Sequence, residues 1–128
     1  MANRIKTTKA VNPKQILYAT EPQVSIGCIV GNTGVTADAS GKKIIQAGTP
    51  VGGTTSALET RNTVLTVTNT AEGGKNTQGV LLQDVDVTDG NANGTLLIFG
   101  FVNLDRIEPT IDAAAKTALS GKVTFLKG

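Results

Sequence analysis

Asp84, Asp86 and Asp89 crowd into six positions and run straight into Gly90, Asn91, Asn93 and Gly94. Carboxylate and amide oxygens gathered beside flexible glycines are the ligand set a hard cation such as calcium requires. A helix–loop–helix calcium loop, however, places oxygen donors at positions 1, 3 and 5, glycine at 6 and a bidentate glutamate at 12. Counted from Asp84, position 5 is Thr88, position 6 is Asp89 and position 12 is Thr95. The closing ligand is missing, so a weak, irregular site is the most that Asp84, Asp86 and Asp89 could form, and no metal ligand is assigned. DGNANG is instead rich in residues that tolerate left-handed backbone, and it joins two apolar segments, which predicts a hairpin tip.

Other chemistry has less to stand on. The chain has no histidine, which removes the commonest general base and metal ligand. Its one cysteine, Cys28, rules out an intrachain disulfide or cysteine zinc cluster. Neither GNTG nor EGGKNT has the spacing of a phosphate loop, and serines 25, 40, 56 and 120 have no nearby base signature. No catalytic residue, cofactor or small-molecule substrate is expected, and the chain reads as a non-enzyme.

The elements that carry the aspartates are mainly strands. In QVSIGCIV, Val24, Ile26, Cys28 and Val30 alternate with polar or small residues, which predicts a half-buried strand and a core place for Cys28. KKIIQAGTPVGG reads as a short strand with a Gly-Thr-Pro corner, Pro50 placing it at an edge or bend. NTVLTVTNT is a strand with Leu65 and Val67 inward, and residues 71–79 form a loop. The strand before the aspartates turns Leu81, Val85 and Val87 to one side. In TLLIFGFVNL both faces are apolar, Leu97, Phe99 and Phe101 on one and Leu96, Ile98 and Val102 on the other. A strand apolar on both sides is buried on both sides, which predicts cover from a second subunit over Leu96, Ile98, Phe99, Phe101 and Val102. EPTIDAAAKTALSG reads as a short helix with Thr110 as N-cap, and KVTFL as a last strand returning Val123 and Phe125 to the core.

The expected fold class is mainly β: a small barrel- or sandwich-like domain over residues 17–128, one short C-terminal helix, and a flexible arm over residues 1–16. The 128 residues include 19 Thr and 15 Gly but only three Phe, one Tyr and no Trp. Such a small aliphatic core gains from self-association. The arm carries Arg4, Lys6, Lys9 and Lys14 without an acid and is too polar to order alone. A net charge of +2, with no aromatic residues interleaved among basic ones, argues against nucleic-acid binding. No run is long enough to span a membrane, and MANRIKTTKA lacks the apolar core of a signal peptide, so synthesis in a cytosol is expected.

GVLLQDVDVTDG, then LLIFGFVNLDRI and KVTFLKG, with KKIIQAGTPVG upstream, resemble phage head-decoration proteins of the lambda D-like kind over residues 42–128. They are also similar to the base domain of phage head-fibre proteins. The resemblance implies a virion protein, a homotrimeric capsid decoration (cement) protein on the outer surface of the expanded head. Its partner would be the major capsid protein, held by an N-terminal arm including Arg4, Ile5, Lys6, Lys9 and Lys14. A head-fibre base is the near alternative, and a β-module adhesin binding glycan or cell surface is the alternative from another class.

Overall fold

In a computed structural model of the chain, residues 15–127 are described. Eight strands form: β1 (Leu17–Val30), β2 (Ile44–Ile45), β3 (Pro50–Gly52), β4 (Val64–Val67), β5 (Thr77–Leu81), β6 (Val85–Asp86), β7 (Ala92–Asn103) and β8 (Val123–Leu126). One helix, α1 (Ala113–Ala118), precedes the last strand. The sheet runs β1-β4-β3-β5-β7, and pairing of β1 with β7 closes it into a five-stranded barrel. β8 adds in parallel to β7 through Gly100↔Val123 to Asn103↔Leu126. The expected mainly-β barrel with a short C-terminal helix is the observed one.

Two cores lie on opposite sides of the barrel wall. Inside are Cys28, Val30, Ile45, Val51, Leu65, Leu81, Val85, Val87 and Leu96, and outside are Leu17, Val80, Leu97, Val102, Leu119 and Val123. Adjacent leucines of β7 serve one core each, because successive strand side chains point to opposite faces. The chain therefore covers both faces of β7 itself, with β8 and the segment around α1 supplying the second cover. Leu96 and Val102 are fully buried, so they do not form a subunit interface, and the expectation of a neighbour's cover over them is corrected.

Local irregularities redirect several other expectations. The β1–β7 register passes from Val24↔Phe99 to Ser25↔Leu97 and slips again between Ala19 and Val24. Such bulges insert residues unequally and flip which face a side chain takes. Val24, expected inward, is consequently exposed, as is Phe99 opposite it, while Ile26 packs against the inner core. Pro50 is neither at an edge nor exposed. It opens β3 between β4 and β5, a first-residue position where its missing N–H is tolerated. Its carbonyl still accepts from Thr68 N–H at 3.0 Å.

The helix begins two residues later than Thr110 would place it. Asp112 is the N-cap, its carboxylate accepting from Ala114 N–H at 2.9 Å. Asn69 holds the approach to that cap, donating to Thr110 O and accepting from Asp112 N–H. The body also starts earlier than residue 17. Ile16 is buried, Asn103 N–H donates to its carbonyl at 2.8 Å, and Arg106 donates to Gln15 O at 2.8 Å.

Candidate functional site

The aspartate segment is not the tip of a simple hairpin. β5 and β7 pair at Val80↔Leu97 and Leu81↔Leu96, but residues 82–91 between them leave the barrel wall. Within that excursion β6 pairs with β2 through Ile44↔Asp86 and Ile45↔Val85. Val85 and Val87 turn into the barrel core beside Ile45 and Leu96. A single strand after the 71–79 loop is the reading that the shared parity of Leu81, Val85 and Val87 suggests. That parity instead serves two separate segments.

The carboxylates stitch this excursion to residues 42–47. Asp84 accepts from Ala47 N–H at 2.8 Å. Asp86 accepts from both the backbone N–H and the hydroxyl of Thr88, and the same hydroxyl accepts from Lys43 N–H at 2.8 Å. Val87 N–H returns to Lys43 O at 2.8 Å, and Gly90 N–H closes a turn onto Val87 O. Local side-chain bonds to backbone are the usual work of Asp and Thr in turns. Among the described residues, no three His, Cys, Asp or Glu side chains are gathered as a metal site requires.

The Thr88 hydroxyl, then its N–H and the nearby Lys42 ammonium, hold the Asp86 carboxyl below the ordinary value of 3.8. A carboxylate favoured in the folded state adds stability at pH values above its unfolded pKa and loses it as the pH falls through the lower folded one. Asp86→Asn is therefore expected to melt below wild type at pH 7, with the gap closing in acid below about pH 3.8. Thermal melts at pH 7, 4 and 2.5 check this. A gap that is constant across the series would assign the loss to shape rather than charge.

Cys28 lies in the barrel core, and burial pushes its thiol pKa up against the opposing contact of the Gly94 backbone. That environment suits an inert apolar residue, since reactivity needs thiolate.

The remaining sequence-derived positions are dispersed. Arg4, Ile5, Lys6, Lys9 and Lys14 lie outside the described residues. Of the five β7 positions, Leu96 and Val102 are core, Ile98 and Phe101 are half-buried, and Phe99 is 38% exposed. Phe99 faces Val24, which is 49% exposed, across the β1–β7 ladder, and Phe101 faces Ala19.

A groove that the sequence did not flag lies where β5 ends its pairing with β7 and the chain enters β8. Ser56, Leu58, Thr77, Gln78, Leu96, Ile98 and Lys122 line its volume of about 290 Å3. Gln78 builds one wall, accepting from Ala57 N–H and donating to Gly53 O and Thr55 O at 2.9, 3.2 and 2.8 Å. The available signal was a glutamine set inside the strand TQGVL, where a side-chain amide must find partners if it is half-buried.

Comparison with known proteins assigns the chain no family: no protein-family model matches it, and no curated protein does.

Proposed function

We propose that the protein is a capsid decoration protein, a non-enzymatic virion component that binds the major capsid protein on the outer surface of the expanded phage head and reinforces the shell. The observation that carries the reading is the division of charge along the chain, taken with the resemblance of residues 42–128. Of 12 Lys and Arg, four fall in the first 14 residues with none of the 10 Asp and Glu, so the rest of the chain has two more acids than bases. A cationic segment supplies the attraction to an acidic partner surface that the weakly acidic body itself lacks. The segment's root supports this use, because Gln15 and Ile16 are tied to Arg106 and Asn103.

The polar side chains of the body fit a scaffold role. Asp84, Asp86, Asn69 and Gln78 spend their hydrogen bonds on loops, which favours a rigid platform over a reaction site. In this reading the protein acts as a homotrimer, with the exposed Val24–Phe99 pair and half-buried Phe101 as the apolar surface left for copies to share. Binding on a repeating lattice is the sum of many weak contacts, so avidity replaces any single strong site.

The test is co-sedimentation with empty expanded heads, using the full chain and a variant lacking residues 1–14. The full chain should pellet with the heads, and the deletion should remain folded while losing about tenfold or more in apparent affinity, as loss of one contact set from a multivalent array predicts. Undiminished binding of the deletion would overturn the arm's role. Failure of the full chain to bind any expanded head would overturn the capsid reading.

A further inference from the structure

We propose that the groove between β5 and the entry to β8 binds an extended acidic segment of a partner protein, seating an aliphatic side chain against Ile98 and Leu58 and a carboxylate against Lys122. Its size comes first. About 290 Å3 is at the lower limit of sites for drug-sized ligands, roughly 300–1,000 Å3, and suits one or two side chains. Ile98 floors the groove above buried Leu96, and Leu58, 61% exposed, stands at its lip.

The polar groups of the wall are already used. Gln78 is bonded to the 53–57 loop through both ends of its amide, the Ser56 hydroxyl accepts from Leu58 N–H, and the buried hydroxyls of Thr68 and Thr77 bond each other at 2.7 Å. Beside Ile98 and Leu58, what remains to recognise a ligand is chiefly apolar surface and the positive charge of Lys122. Lys122 makes no ion pair with a described side chain, and neither does Lys75. Lys75 lies on a polar extension of the groove, continuous with it through Ser56, Thr77 and Gln78.

Among the described residues, no Asp or Glu lines either part. On a body with an excess of acids, a strip whose only charges are two ammonium groups is complementary to an acidic chain, and complementarity of this kind sets partner choice. The two-part shape favours an extended segment over a compact anion. No aromatic ring lines it to stack a nucleobase. Because Gln78 fixes the wall beforehand, binding does not require the 53–57 loop to be ordered.

This inference does not rest on the capsid reading, and its test uses no capsid. The isotope-labelled full chain is titrated with the acetylated, amidated peptide Asp-Glu-Leu-Asp-Glu-Leu at low ionic strength and followed by amide NMR. Shifts should concentrate on Ser56, the Gln78 side-chain amide, Ile98 and Lys122. Lys122→Glu should weaken binding about tenfold, as attraction at the exposed rim of the groove turns to repulsion, and exposed Leu58→Ser should weaken it without threatening the fold. Lys116→Glu, on α1 away from the groove, should leave it unchanged. A peptide with alanine in place of leucine should bind more weakly. Shifts scattered over the whole surface, equal binding by Lys122→Glu, or equal binding of the alanine peptide would overturn the proposal. So would tighter occupation of the same residues by decanoate or by a single-stranded oligonucleotide.

Discussion

Gly52→Ala is expected to destabilise the barrel by about 3 kcal/mol, the upper part of the usual overpacking range. For a chain of this size that is a fall in melting temperature of roughly 10 °C. Gly52 ends β3 at a register shift against β5, where Val51 faces Gly79 and Gly52 faces Thr77. The Asn76 carbonyl, which accepts from Gly53 N–H at 3.1 Å, sits directly over its Cα. A methyl group there would collide with that carbonyl oxygen and lie 2.9 Å from both Asn76 C and Gln78 N. All three obstacles are backbone, so no rotamer change relieves them. Either β3 moves away from β5, breaking the ladder, or the 3₁₀ turn at Gly74–Asn76 moves off α1, against which Gly74 is tightly packed.

Gly53→Ala is the control, because a Cβ there meets nothing within 4 Å. It should fold with a melting temperature within a few degrees of wild type, from an effect under about 1 kcal/mol. Chemical or thermal denaturation of the two variants side by side decides the matter. Equal stability would mean that β3 can shift freely, and the bulge would then be a soft feature of the barrel.

The contrast between these neighbouring glycines shows where the sequence was readable. Strands with one wet face announced themselves by alternation: Cys28 and Val30 in β1 and Leu65 in β4 are buried, as their parity predicted. Bulges leave no comparable mark. Nothing in QVSIGCIV or TLLIFGFVNL signals that β1 carries extra residues between Ala19 and Val24, although this decides that Val24 faces out. Pro50 marked the bend that Thr49 N–H closes on Gln46 O, but not a sheet edge. The rule against proline in central strands applies to its missing N–H, and the first position of β3 does not need it.

The candidate site was legible in composition and illegible in geometry. The aspartates were visible as turn formers, and they do form turns. Asp86 turns onto Thr88, but the partner of Asp84, Ala47, and the partner of the Thr88 hydroxyl, Lys43, lie about 40 residues away, and only the β2–β6 pairing brings them together. Long-range pairing of two-residue strands has no local signature, because each is too short for periodicity to emerge. The same holds for the groove, whose walls come from four separate stretches of chain.

Leu96→Ala, set against Phe99→Ser, carries the second large effect and separates core from surface in β7. Two readings compete for this strand. If its second apolar face were covered by another subunit, truncating either residue would weaken assembly and stability together. The structure assigns Leu96 to the barrel core with no exposed surface, and Leu97 and Val102 to the outer core beside Leu119 and Val123. Removing the Leu96 side chain loses its transfer free energy and leaves a cavity among Cys28, Leu81 and Val85, at a cost of about 2–5 kcal/mol. That cost should appear in dilute solution and be independent of protein concentration. Phe99 is already 38% exposed, so Phe99→Ser should cost the monomer fold about 1 kcal/mol or less. If the Val24–Phe99 surface is shared between copies, Phe99→Ser should instead lower the mass measured by light scattering at a given concentration. A concentration-dependent melt for Leu96→Ala, or a fold lost in Phe99→Ser, would reverse the assignment. One strand holds both answers because a strand with both faces dry says only that each face is covered, and the covering element must be found elsewhere in the fold.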